Sequence, residues 1–184
     1  MLATLSDGSE IANPRWTRNE EERLAFANRA LSRKCKGSKN RCKARERVRR
    51  VCQRIQGLRR AYLHKQSRKL IEKYDLIAFE KLDIRGLLRG KLAKSILDAA
   101  WGELVWQITY KAESAGKWAV PVNPKGTTQR CSRCGCIVPK KLWDRWHDCP
   151  QCGLSIDRDH NSALEVKALG ESAVERVTKC LPIR

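Results

Sequence analysis

Residues 131–161 read CSRCGCIVPKKLWDRWHDCPQCGLSIDRDHN, and the spacing of their cysteines decides how the rest of the chain is to be read. Two Cys-x-x-Cys pairs, Cys131/Cys134 and Cys149/Cys152, stand fourteen residues apart, room for a hairpin that brings the pairs together. Four thiolates then converge on one ion, and a tetrahedral sulfur shell suits Zn²⁺. Gly135 and Gly153, each one residue past a second cysteine, relieve the tight turn that lets backbone N–H groups approach a metal-bound sulfur. A closed shell of four cysteines leaves no open coordination position, so the role is structural. Two disulfides would need an oxidising compartment, which nothing in the chain suggests. Cys136 lies too close to Cys134 to be a further ligand, and with four cysteines at hand His147 is not needed as one.

Between the pairs lie Lys140, Lys141, Trp143, Arg145 and Trp146. A minidomain of this size buries little, so its tryptophans either stack on bases or cover the metal. Behind the second pair comes Asp157-Arg158-Asp159-His160-Asn161-Ser162-Ala163, then a helical run from Leu164 to Leu169. Acids at a helix start are commonly caps. Residues 171–184 continue as a tail without evident chemistry.

The 184 residues carry 39 Lys+Arg against 20 Asp+Glu, a net charge of +19. A polyanion is the expected partner. No apolar run is long enough for a membrane span, and the start lacks a signal-peptide pattern, so a soluble cytoplasmic protein is expected. Of the nine cysteines, Cys35, Cys42, Cys52, Cys136 and Cys180 lack paired spacing and read as reduced thiols.

Residues 1–13, MLATLSDGSEIAN, read as a hairpin around Ser6-Asp7-Gly8. Thr17-Arg18-Asn19-Glu20 offers a capping box for a helix through Leu31. From Arg33 to Lys73 there are 17 Lys/Arg and two acids, Glu46 and Glu72. Beneath that charge Ala44, Val48, Val51, Ile55, Leu58 and Tyr62 form an apolar line, so 17–73 is predicted as a helical hairpin. One of its faces packs, while the other, including Arg45, Arg49, Arg50, Arg54, Arg59 and Arg60, is expected to meet phosphates. Lys140, Lys141, Trp143 and Arg145 extend that expectation to the ribbon.

Tyr74–Glu80 reads as a strand buried on both faces, with Glu80 at its C-terminal end, either an active group where open α/β sheets place them or a surface acid that starts a loop. A helix of about 20 residues follows, with Leu97, Ala100, Trp101, Leu104, Ile108 and Ala112 on its inner face. Gly116 ends it, and Trp118–Val122 is a short strand with Pro121 at an edge or end.

LATLSDG, the basic hairpin, YDLIAFEKLDIRGL, LAKSILDAAWGEL, VNPKGTTQRCSRCG, CPQCG and DRDHNSA together resemble the TnpB family, transposon-encoded RuvC-like RNA-guided DNA nucleases related to type V CRISPR effectors. The resemblance implies an α/β, RNase H-like core spanning 1–124 with the hairpin inserted, a zinc ribbon at 125–156 and a last catalytic segment at 157–170. It implies Glu80 and Asp159 as catalytic carboxylates holding Mg²⁺, with DNA and a guide RNA as partners. Asp159 is preferred over Asp157 because the motif's catalytic acid stands two residues before the asparagine. The family's first catalytic aspartate lies upstream of LATLSDG, so the chain resembles a C-terminal portion and is expected not to cleave by itself. A non-catalytic ribbon that binds DNA or RNA is the alternative, and a zinc-stabilised protein-interaction domain a third.

Overall fold

The structure is a computed structural model that describes residues 1–90, 93–141 and 143–179; the reading of Cys180 lies outside them. The longest element follows from charge spacing and one cap. The Ser38 hydroxyl accepts the Arg41 N–H at 3.1 Å, satisfying a donor that the first helical turn leaves open. From there α3 (Lys39–Lys73) runs 35 residues without proline. Its inner seam holds Ala44, Ile55, Leu63, Ser67, Leu70 and Ile71. The predicted line therefore drifts past Leu58, which is exposed, because a straight helix rotates slowly away from a strict seven-residue repeat.

Two short helices fold back on α3. They are α1 (Trp16–Asn19) and α2 (Glu21–Ser32). The predicted capping box is not formed: α1 starts at Trp16 after Arg15 at φ 52° with no side-chain cap. The Thr17 amide instead donates to Asp98 Oδ1 at 3.0 Å, so a distant carboxylate displaces the local cap. At the other end of α2 the Arg41 guanidinium donates to the Leu31 and Lys34 carbonyls, closing the turn at Gly37.

The hairpin β1 (Ala3–Thr4) and β2 (Glu10–Ile11) pairs antiparallel. Strand β3 (Leu76–Glu80) pairs in parallel with β4 (Trp118–Val122), from Leu76 opposite Trp118 to Glu80 opposite Val122. Among the described residues β4 is the only strand paired with β3. All five β3 residues are half-buried, which corrects the expectation of a strand covered on both faces.

A short turn, α4 (Ile84–Leu87), precedes α5 (Ala93–Ala99) and α6 (Trp101–Ser114). The single long helix expected here is interrupted at Ala100, whose φ is 52°, a left-handed conformation costing about 1–2 kcal/mol for a residue with a Cβ. The Trp101 indole N–H donates to the Leu2 carbonyl at 2.9 Å, anchoring α6 on the hairpin. Leu97 falls outside the core at 58% exposure. Leu2, Ile11, Leu63, Leu70, Ile71, Leu104, Ile108 and Ala112 form one cluster between the hairpin, α3 and α6. The last elements are the ribbon hairpin β5 (Trp146–Asp148) and β6 (Ser155–Asp157), paired antiparallel, and α7 (Arg158–Lys179). The chain is therefore a mixed α/β protein carrying a cysteine cluster. Residues 171–179 simply continue α7.

Candidate metal centre and the carboxylates beside it

The β5–β6 hairpin returns Cys149 and Cys152 to the first pair. The sulfurs of Cys131, Cys134, Cys149 and Cys152 all lie within 4.8 Å of one another. Cys131 to Cys152 measures 3.6 Å and Cys134 to Cys149 3.5 Å. Four sulfurs about 2.3 Å from a central ion would stand about 3.8 Å apart in a tetrahedron, so the cluster fits a metal ion. Gly135 and Gly153 have φ of 75° and 70°, and their amides donate to the carbonyls of Cys131 and Cys149 at 2.8 and 3.0 Å. Both positions are left-handed, as the glycines allow.

The backbone amides of Cys152 and Gln151 draw the Cys149 thiol down to about 6, against the burial that opposes ionisation. At Cys134 the Cys136 amide pulls in the same direction, but burial and the three neighbouring thiols outweigh it and the value rises to about 12. A bound cation takes its cysteine ligands as thiolates, so metal uptake here would release protons.

His147 is fully buried, and neither ring nitrogen has a hydrogen-bond partner among the described residues. Burial, then the Lys140 charge, lowers its pKa. It is not part of the four-sulfur cluster. Trp143 and Trp146 are 71% and 60% exposed, so both stand largely in solvent. Lys141 Nζ stands 5.4 Å from the centre of the Trp143 ring, a cation–π arrangement. Lys140 is partly buried and donates to the Trp146 carbonyl at 3.1 Å, whereas Arg145 is exposed.

Where β6 ends, Asp157 Oδ1 accepts the amides of Asp159 and His160 at 2.8 and 3.1 Å. Asp157 is thus the cap of α7. Asp159 sits in the first turn with its side chain 44% exposed and the Arg158 guanidinium 3.4 Å away. The Arg158 guanidinium also donates to the Asp144 carbonyl at 2.9 Å. Glu80, at the C-terminal end of β3, is held from two sides. Its Oε1 accepts from the hydroxyls of Thr127 at 3.2 Å and Ser162 at 3.3 Å. Ser162 stands three residues beyond Asp159 in α7, so the fold sets Glu80 against the first turns of the helix that carries Asp159.

Close packing fixes that approach. A Cβ on Gly170 would collide with the Ala78 side chain, so α7 lies on β3 at a distance only glycine permits. Asp7, in the turn between β1 and β2, is committed elsewhere: it accepts from Lys73 Nζ at 2.7 Å, Tyr74 Oη at 2.8 Å and the Ser9 amide at 2.9 Å. Those bonds, Lys73 first, hold its carboxyl well below the usual range.

The predicted phosphate-binding arginines are mostly ion-paired. Glu46 takes Arg49 at 2.6 Å and Arg50 at 3.1 Å, and Arg49 draws its carboxyl down to about 2. Arg54 reaches Glu20 at 3.4 Å and Arg60 reaches Glu103 at 3.9 Å. Arg59 is turned inward, donating to Asp98 at 2.9 Å and Thr17 at 2.8 Å. Arg45 is exposed. Sequence reasoning missed Thr127, Ser162, Asn161, Arg130 and Glu165 around the site. Only the runs NPKGTTQR and DRDHNSA pointed near them. Among the described residues no helix is long and apolar enough to cross a membrane.

Comparison with known proteins agrees with this layout. Residues 1–90 match the family described as "Probable transposase", and residues 101–166 match the "Cas12f1-like, TNB domain" family. A "Putative RNA-guided DNA endonuclease" of Streptomyces pristinaespiralis is 42% identical over 175 residues, 94% of this chain and 43% of that protein. "Putative RNA-guided DNA endonuclease InsQ" of Escherichia coli K12 is 31% identical over 190 residues, 94% of this chain and 47% of its own length. The chain spans about half the length of these relatives. Among solved structures, a cryo-EM structure of the Cas12f1-sgRNA-target DNA complex aligns with a TM-score of 0.53 over 80% of this chain and 42% of the other, at 15% identity. At that identity the likeness is one of fold.

Proposed function

This chain belongs to the TnpB family, and from that premise we propose that it contributes two metal-binding carboxylates and a zinc ribbon to an RNA-guided, RuvC-type DNA endonuclease. The observation that supports the reading best is Glu80, held at the end of β3 against the α7 turn that carries Asp159. In this reading residues 1–124 and 157–170 form an RNase H-like core, with 17–73 as a helical insertion and 125–156 as the ribbon. Mg²⁺ bound between Glu80 and Asp159 would supply a water activated for attack on a phosphodiester and stabilise the departing oxygen. The chain's own part is orientation: Thr127 and Ser162 fix the Glu80 carboxylate, the Asp157 cap fixes the helix start, and Arg158 adds positive charge beside Asp159. Zn²⁺ is the ion that four cysteines of this spacing suit.

Two carboxylates are a thin shell for hard cations that demand several oxygens. Two further acids, Asp157 and Asp7, are engaged by backbone amides and by Lys73. We therefore propose that these 184 residues alone do not cleave DNA and that cleavage needs a further carboxylate from another polypeptide segment. Incubating the purified chain with Mg²⁺ and single-stranded DNA tests this. No cutting is expected, and cutting abolished by Glu80→Gln would overturn the inactivity while supporting the site. Cutting restored by adding the portion of a longer relative that this chain does not span, and lost again with Glu80→Gln, would support the whole reading.

The exposed Trp143 and Trp146 and the charge of +19 favour a second reading, a nucleic-acid-binding ribbon and arm without catalysis. It predicts binding to random DNA that collapses between about 50 and 200 mM salt, with no effect of Glu80→Gln.

A further inference from the structure

The first two turns of α7 face three ways at once. Asp157 caps them, Ser162 meets Glu80, and Asn161 turns toward the ribbon. Asn161 is fully buried. Its Nδ2 donates to the Arg130 carbonyl at 2.7 Å and its Oδ1 accepts the Ser132 amide at 3.0 Å. Those partners stand on either side of Cys131, itself fully buried. Cys131 in turn closes the first knuckle, donating its amide to the Cys136 carbonyl at 2.9 Å and accepting that of Gly135 at 2.8 Å. One turn further along α7, Glu165 faces the Arg130 guanidinium at 3.5 Å. The same guanidinium lies over the Gly135 turn, where an added Cβ would stand 3.5 Å from it. Two adjacent residues of one helical face thus grip the backbone and the turn around one cysteine.

We infer that Asn161 is a positioning residue coupling metal occupancy of the cysteine cluster to the order of the α7 turn that carries Asp159. An ion bound to Cys131 holds residues 130–132 in place, and both Asn161 bonds need that backbone at one position. Without the ion four crowded thiols relax apart, the Arg130 carbonyl and Ser132 amide move with Cys131, and a buried amide loses its partners. That loss is disfavoured in a dry site, so the helix start loosens instead. The linkage is reciprocal: Asn161 prearranges Cys131 for the metal. The inference rests on the cysteines binding metal but not on cleavage, so it can fail while the nuclease reading stands, and the reverse.

Hydrogen exchange on the 184-residue chain, loaded with Zn²⁺ and again after chelation, tests it. The amides of Ser162–Val166 bond within the first turns of α7. They are expected to exchange at least tenfold faster on metal removal, while those of Leu104–Ala112 in α6 do not change. Asn161→Ala is expected to bind Zn²⁺ one to one but to release it to a chromogenic chelator about 10- to 100-fold faster, the usual effect of losing a partner that orients a ligand. Its α7 amides should already exchange fast and no longer respond to metal. Asn161→Asp keeps the acceptor for Ser132 and loses the donor to Arg130, so its release rate should fall between. Exchange in α7 that ignores the metal in the unaltered chain, or an Asn161→Ala protein whose α7 still responds in full, overturns the inference. If Asn161→Ala does not fold, a release rate for Asn161→Asp equal to that of the unaltered chain does the same.

Discussion

Helix α3 and the junction of ribbon and α7 are both rich in arginine, yet the side chains are used differently. Along α3 the cations face acids supplied by other elements: Glu20 before α2, Asp98 on α5 and Glu103 on α6, besides Glu46 in the helix itself. The arm is fastened by many exposed pairs, each weak in water, laid over a continuous apolar seam. Among the described residues the junction has no such seam. Four sulfurs, one buried amide and the Arg158 contacts with the Asp144 carbonyl hold it. Redundant weak contacts tolerate single losses, whereas a few strong ones do not.

The largest expected effect is loss of the metal shell. Structural zinc sites contribute apparent binding energies of about 10–16 kcal/mol in small domains, so Cys134→Ser should open the ribbon to proteolysis. The arm should survive, with α3 still helical by circular dichroism. Simultaneous unfolding of both regions would erase the contrast drawn above.

Next comes a buried pair of the arm, Arg59 with Asp98. Asp98→Ala should cost about 3 kcal/mol in denaturant unfolding, the low end for breaking a buried pair, because Arg59 keeps some access to water. Burial alone would raise the Asp98 carboxyl, but the Thr17 hydroxyl and amide and the Arg59 charge outweigh it and hold it below the usual 3.8. A depressed folded value means the contribution is complete above pH 3.8 and lost as pH falls through the folded value. The variant should lack that part of the acid dependence.

Gly170→Ala tests the contact beneath the carboxylates. Alanine gains about 1 kcal/mol of helix propensity, but overpacking against Ala78 costs about 1–3 kcal/mol. Net destabilisation is expected, read as a lower denaturation midpoint. A stabilised variant would mean that α7 and β3 are not so closely apposed. The smallest effect on stability belongs to Glu46→Gln, where none should be measurable. It frees Arg49 and Arg50, so binding to random duplex DNA should tighten and its salt slope steepen by about one to two phosphate contacts. An unchanged slope would show the arm's cations to be fasteners only.

The same contrast explains what could be read beforehand. The arm was legible in outline because a seam of 35 residues repeats one signal many times, and its drift past Leu58 is small. Which arginine turned inward was not, since Arg59 differs from Arg60 only in facing Asp98, 39 positions away. Asp157 and Asp159 looked alike as helix-start acids, and only the amide bonds to Asp157 mark it as the cap.

By itself the amino-acid order determined the thiol cluster, two short strands, the hairpin at the start and the long basic helix, while the parallel pairing of those strands came only with the fold. Each depends on patterns within a few residues: cysteine spacing, alternation, or a turn glycine. Tertiary structure alone decided the break at Ala100, the replacement of the Thr17 cap by Asp98, the meeting of Glu80 with Ser162 and the grip of Asn161 on either side of Cys131. The last three of these join residues 29 to 82 positions apart, and a buried polar group takes whichever partner the path of the chain brings within reach.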